Sequence, residues 1–285
     1  MHLKITHTSV YDYHKPVEIN PHQIFLKPLE RNYLEIKNYQ LEVSPVPVGI
    51  NERNSIEDNS YFQVWFTGET EKLITKTSFE AISTPFNPFS FLVDHWFIDQ
   101  VDFNKEVPFS YLKQDLPILS AYLLDEGAIE LKKYCLDRLT QKEPISFLTT
   151  LNADIHANWE HIIREEENLW SPSKTFDEKK GSCRDLSWMM IQMLRGVGLA
   201  ARFVSGYAFN PEMDEGHELH AWVEVYLPGA GWLGIDPNLG LLTDEHYIPL
   251  ACSFLPGNTL PIHGTYGGKD LEMAKLSTEV IIEVI

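Results

Sequence analysis

The stretch Lys180-Gly181-Ser182-Cys183-Arg184-Asp185-Leu186-Ser187-Trp188 decides how the chain is read. Ser182 is a good helix N-cap, and Asp185 three residues on can close a capping-box-like pair. Leu186, Met190, Met193, Leu194 and Val197 then recur at helical spacing, and Gly196 and Gly198 offer an end. Cys183 therefore falls at the first position of a buried helix. Unpaired N–H groups and the positive end of the helix dipole favour a thiolate there. The same N–H groups can hold an oxyanion during acyl transfer. Taken alone, Cys183 reads more simply as a small buried hydrophobe, so the residues beyond its helix carry the decision.

Ala201-Arg202-Phe203-Val204-Ser205-Gly206-Tyr207 reads as a strand, and a polar loop over 210–218 contains Pro211 and Gly216. His220-Ala221-Trp222-Val223-Glu224-Val225-Tyr226-Leu227 alternates strictly. Pro228-Gly229-Ala230-Gly231 is a turn, and Trp232-Leu233-Gly234-Ile235-Asp236-Pro237 returns as the next strand. A loop from Leu227 to Gly231 pairs Tyr226 with Trp232 and puts Asp236 on the sheet face of His220. A loop one residue shorter sends Asp236 to the other face, and the sequence leaves both registers open. Singly, His220 is a solvated strand-end histidine and Asp236-Pro237 a turn initiator. Together with Cys183, in the order helix, strand, strand, they form a candidate nucleophile, base and orienter.

The rest of the chain frames this constellation. A length of 285 residues favours two domains. With 44% hydrophobic and 22% charged residues the composition is that of a globular protein. A formal charge of −18 with no Lys/Arg cluster argues against a nucleic-acid partner. Three cysteines (Cys135, Cys183, Cys252), none in a CxxC pair, make neither a disulfide framework nor a cysteine zinc site. The first residues do not read as a signal peptide, and no apolar run spans a bilayer, so no membrane partner and a reducing cytoplasm are expected.

Residues 1–110 read as an N-terminal β domain of short strands, among them His2–Thr6, Gln40–Val43, Tyr61–Phe66 and Glu71–Ile82. The histidines here (His2, His7, His14, His22) are read as structural or surface groups. Composition shifts after Pro108, and residues 111–285 read as the catalytic domain. Ala128–Leu139 and Phe147–Ile163 have helical spacing. The fold class is α+β, with an antiparallel sandwich-like domain before a core in which the cysteine helix packs on an antiparallel sheet.

The pattern Gly181 to Asp185, Leu194 to Tyr207, His220 to Val225 and Trp232 to Pro237 resembles the transglutaminase-like superfamily. It covers roughly residues 150–240. Tyr11-Asp12-Tyr13 and Leu26-Lys27-Pro28 are similar to the N-terminal domain of its bacterial two-domain members. The segments His246-Tyr247-Ile248 and Gly264 to Gly268 resemble their tail, with Cys252-Ser253-Phe254 standing where many relatives have Gly-Arg-Asp. The resemblance implies a papain-like core with Cys183 as nucleophile, His220 as base and acid, and Asp236 as orienter of the imidazole. The Cys183 N–H would join the oxyanion hole. Asp185 matches a frequent family position that a helix cap explains equally well. Trp222 and Trp170 are read as core residues before cleft residues.

The expected activity is thiol-dependent acyl transfer on a peptide, protein or small amide substrate, as a cysteine protease or amidase, with no cofactor and no metal. Cross-linking amine transfer shares the chemistry as far as the thioester. A non-catalytic peptide-binding module on the same fold is a second alternative. A histidine-based metal hydrolase is a third, without HExxH spacing to support it.

Overall fold

The computed structural model describes residues 1–164, 166, 168–211, 219–268 and 273–285. The first strand, His2–Ile19, runs for 18 residues. Leu3, Ile5, His7 and Ser9 point inward in alternation along it. It pairs antiparallel with Glu69–Ser83, which pairs in turn with Leu34–Ser44. A second antiparallel sheet joins Ile262–His263, His22–Ile24, Ser60–Trp65 and Gly49–Asn54. Leu3, Ile5, Ile24, Leu26, Val64 and Phe79 fill one core between these sheets. An N-terminal antiparallel sheet domain therefore precedes the helical part, as the strand pattern implies.

The other half is a five-stranded antiparallel sheet with helices on it. Its order is Leu241–Leu242, Gly231–Asp236, Leu219–Leu227, Ala201–Ala208, Tyr247–Ser253. The helix Cys183–Gly196 lies against it, with Met190, Met193 and Leu194 wholly buried among Ala221, Val223 and Val225. Each such side chain contributes roughly 1.5–3 kcal/mol by leaving water. Around it pack the helices Ile129–Leu136, Pro144–Asn158 and Pro172–Glu178. The result is α+β with the cysteine helix at its centre.

Three expectations are corrected. The helix expected over Phe147–Ile163 is Pro144–Asn158. The Glu143 carboxylate caps its start by accepting from the N–H groups of Ile145 and Ser146. Its end comes early because Glu160–His161 turns extended and pairs in parallel with Lys180–Gly181. Secondly, Phe97, Val101 and Phe109, expected in the N-terminal domain, are buried in the core built around the cysteine helix. These aromatic and branched residues lie in short helices and loops, and a strand-period reading has no hold on them.

Thirdly, the stretch 111–285 does not stay in one half. Lys275–Val284 pairs along the first strand from Leu3↔Val284 to Asp12↔Lys275, and Tyr266–Gly267 and Ile262–His263 also join the N-terminal sheets. An edge strand buries little, so its sequence carries a weak apolar period. The halves share a seam in which Tyr207, Phe209, Ile248 and Leu250 enter the N-terminal core. Most of the polar loop expected over 210–218, Gly216 included, lies outside the described residues.

Candidate active site

Cys183 opens its helix behind Ser182, whose backbone N–H and hydroxyl both donate to Asp185 Oδ2, at 2.9 and 2.7 Å. Asp185 is thus a cap, and it is also a hub. Arg164 Nη1 lies 2.8 Å from each of its oxygens, and the Trp170 N–H donates to Oδ1 at 2.8 Å. Its side chain is fully buried. Burial alone pushes its pKa up, but the Trp170 N–H, Arg164 and Ser182 outweigh that and hold it below the ordinary aspartate range. The carboxylate so pins the incoming chain to the helix start and fixes where Cys183 stands. Gly181 is part of this closeness, since a Cβ there would come within 2.9 Å of Asp185 Cβ.

Val223 pairs with Ile235 and Tyr226 with Trp232 in the hairpin. That is the register that carries Asp236 to the face of His220. His220 Nε2 and Asp236 Oδ2 are 2.7 Å apart, with the histidine side chain 12% exposed and the aspartate wholly buried. The structure therefore sets His220 and Asp236 in line, and Cys183 is the thiol whose pKa His220 lowers.

The electrostatics follow from that line. Burial pulls the His220 pKa down, but the Asp236 charge and hydrogen bond and the nearby thiolate raise it to about 10. Burial pushes the Cys183 thiol up, but hydrogen bonds from His161, His220 and the Ala221 N–H, with the charge of His220, bring it down to about 6. Between those values the resting pair is thiolate and imidazolium.

One participant escaped the sequence reading. The Tyr247 hydroxyl donates to Asp236 Oδ2 at 2.8 Å, while the N–H groups of Asn238 and Leu239 donate to Oδ1 at 2.9 and 3.2 Å. Asp236 is held on both oxygens, so it cannot swing away from the imidazole. Tyr247 comes from a different strand, and nothing local marks it.

Of the two tryptophans expected in the core, Trp222 lies there and Trp170 does not. Trp222 is buried against Val204, Tyr247 and Cys252. Gly206 makes room for it, since a Cβ there would meet Trp222 Cη2 at 2.7 Å and the Ile248 carbonyl oxygen at 2.3 Å. Trp170 is half-buried under the Arg164 guanidinium, 4.5 Å from the ring centre. Arg202 and Glu224 form a largely buried cross-strand ion pair. All three cysteines are free thiols, and Cys135 and Cys252 are buried. Burial pushes the Cys252 thiol up to about 11 and Cys135 higher still, in contrast to the lowered thiol of Cys183.

Comparison with known proteins agrees with this architecture. Residues 135–237 match the transglutaminase-like superfamily, and residues 3–81 match the bacterial transglutaminase-like N-terminal region. The chain belongs to the transglutaminase-like superfamily and carries its bacterial N-terminal region. A candidate cysteine protease from Cytophaga hutchinsonii has the same fold, with a TM-score of 0.72 at 19% identity over 99% of this chain and 90% of that one. YebA of Bacillus subtilis is 34% identical over 83 residues, covering 25% of this chain and 11% of its own length. A protein-glutamine gamma-glutamyltransferase of Pseudomonas aeruginosa is 38% identical over 70 residues, covering 22% of this chain and 10% of its own. The chain thus spans only about a tenth of the length of either relative.

Proposed function

We propose that this protein is a thiol-dependent acyl-transfer enzyme that cleaves a peptide or amide bond, with Cys183 as nucleophile, His220 as base and acid, and Asp236 as orienter. The observation that carries the reading is the His220 Nε2–Asp236 Oδ2 pair, at 2.7 Å over a wholly buried carboxylate, with His220 lowering the pKa of the thiol at the start of the Cys183 helix. Cys183 Sγ attacks the carbonyl carbon, the C–S bond forms, and the carbonyl π pair moves to oxygen. His220 then gives its proton to the leaving nitrogen, the C–N bond breaks, and a thioester remains. Water enters, loses a proton to His220 and attacks the thioester, which returns the thiolate and frees the acid. Asp236 keeps the ring in the orientation and tautomer that both transfers need.

A second reading is transfer of the acyl group to an amine. It rests on the name of the Pseudomonas relative, and it differs only in what resolves the thioester. Neither reading calls on a metal or cofactor.

The test is the rate of iodoacetamide labelling of Cys183 between pH 4 and 9, in wild type and His220→Ala. The wild-type rate is expected to rise through about pH 6, where the thiol is held. In the variant the rise should move up towards the free-cysteine range of about 8.5. A wild-type profile that already follows an ordinary thiol would overturn the proposal.

A further inference from the structure

Cys183, His220, Asp236 and Tyr247 all belong to the half built on the cysteine helix, yet one of them is held from the other half. Tyr247, whose hydroxyl donates to Asp236 Oδ2, opens the strand Tyr247–Ser253 at the edge of the five-stranded sheet. That strand is weakly tied to its own sheet. Pro249 has no N–H to give to a ladder, and the register against Ala201–Ala208 shifts between Pro249 and Ala251. A bulged edge strand of this kind can slip along its neighbour. A slip of one residue would turn the Tyr247 side chain to the opposite sheet face, away from Asp236.

The N-terminal half closes the outer edge of this strand at both ends. The Tyr33 hydroxyl donates to the Tyr247 carbonyl at 3.2 Å, and the Leu29 N–H donates to the Pro249 carbonyl at 2.8 Å. Beyond the register shift, Asn59 Nδ2 donates to the Cys252 carbonyl at 2.7 Å, and the Cys252 N–H donates back to Asn59 Oδ1 at 2.9 Å. Glu57 accepts from the Ser253 hydroxyl and, at 3.0 Å, from the Phe254 N–H. The Asn59 carboxamide, 1% exposed, stands in for the peptide group of a neighbouring strand, with one donor and one acceptor side by side. The hairpin tip that carries it, residues 55–59, is tied down in turn. The Ser55 N–H donates to the Asn59 carbonyl at 2.8 Å and the Asn59 N–H to the Ser55 hydroxyl at 3.1 Å. Asp58 takes a φ of 62°, a left-handed turn that aspartate tolerates.

We propose that Tyr33, Glu57 and Asn59 are positioning residues for the reaction at Cys183. They fix the register of Tyr247–Ser253, the strand sets the Tyr247 hydroxyl on Asp236, and Asp236 so held keeps the His220 ring in line. This inference rests on the acyl-transfer reading and gives the N-terminal half a part in it.

The test is the burst of p-nitrophenolate from p-nitrophenyl acetate. Cys183 Sγ bonds the acetyl carbon, the C–O bond breaks and p-nitrophenolate leaves. The rate constant of the burst reports how well the site is assembled, and its amplitude reports how much protein is folded. Tyr33→Phe and Asn59→Ala should each lower the rate constant by about two- to tenfold, and by no more than Tyr247→Phe does. Added to Tyr247→Phe, each should change it by less than about 1.5-fold, because groups that act through one network do not add. Tyr33→Phe removes a single oxygen and carries the test where Asn59→Ala yields no folded protein. Contacts that only joined the halves would lower the amplitude and the urea midpoint and leave the rate constant as it is. Unchanged rate constants therefore overturn the proposal, as does a full further loss on top of Tyr247→Phe. His220→Ala, run alongside, keeps the two ideas apart. A normal burst in His220→Ala removes the acyl-transfer reading itself, while a lost burst there beside normal Tyr33→Phe and Asn59→Ala removes only the role of the N-terminal half.

Discussion

Asp236 shows how much positioning a single side chain can carry. Four donors converge on its two oxygens: His220, Tyr247, and the N–H groups of Asn238 and Leu239. Removing the carboxylate leaves His220 without the charge that raises its pKa and without the contact that fixes its tautomer. Asp236→Asn should therefore lower the acylation rate by about 10³–10⁴-fold, measured as the burst of p-nitrophenolate released from p-nitrophenyl acetate. Tyr247→Phe removes one donor and leaves the charge. Its cost should be far smaller, about three- to tenfold on the same burst, for the loss of a hydrogen bond to a charged group partly replaced by neighbours. Equal effects of the two substitutions would mean that Tyr247 acts on the reaction directly and not through Asp236. Cys183, His220 and Asp236 were legible as candidates because each lies in a local pattern: a helix start, a strand start, and the end of the returning hairpin strand. Tyr247 was not legible, because it reaches the site from an element whose own pattern says nothing about its neighbour in space.

At the scale of elements, the start of the cysteine helix is built as a junction. Asp185 joins Ser182, Arg164 and the Trp170 backbone, and all of these contacts are at or below 2.9 Å. Replacing it by Ala takes from the Arg164 guanidinium, 6% exposed, its buried carboxylate and leaves it Asn168 and the exposed Glu166. Breaking a buried pair in this way costs about 3–5 kcal/mol. Urea denaturation of Asp185→Ala should show a loss of that size, and the surviving folded protein should label at Cys183 more slowly because the helix start has lost its anchor. The sequence pointed to the cap but not to the hub, because Arg164 and Trp170 fall in an irregular segment without periodicity. The register of the hairpin was open in the same way. A turn of Pro228 to Gly231 admits two pairings, and packing of Val223 and Ile235 into the core selects one.

At the scale of the molecule, the two halves are joined through buried chemistry as well as apolar contact. His7 is fully buried, with Nδ1 at 2.8 Å from the Tyr207 hydroxyl across the seam and Nε2 at 3.0 Å from the Ser9 hydroxyl. Burial lowers its pKa from 6.5 to about 4. Above about pH 6.5 the ring is neutral in both states and the stability is unaffected. As the pH falls from there towards about 4, the unfolded chain takes up a proton that the buried ring refuses, and stability is lost. The loss is on the order of 3 kcal/mol when the pH has passed the folded value. The urea midpoint should drop over this range in wild type, and the drop should be shallower in His7→Gln. An unchanged slope would mean that other groups govern the acid sensitivity. The composition of the first hundred residues announced strands, and the alternation of Leu3 and Ile5 announced their inward face. The return of residues 262–284 to that same half was hidden, because an exposed edge strand has little apolar periodicity to read.

That returning strand has a consequence for how the protein comes into being. Lys275–Val284 lies along the first strand over ten residue pairs. On the ribosome, at about 5–20 residues per second, the first strand emerges on the order of tens of seconds before its last neighbour. During that interval one side of His2–Ile19 has its backbone donors and acceptors open to any passing chain. Synthesis therefore includes a waiting period in which the cell must shield this edge, and the pace of translation becomes a determinant of how much folded protein is made.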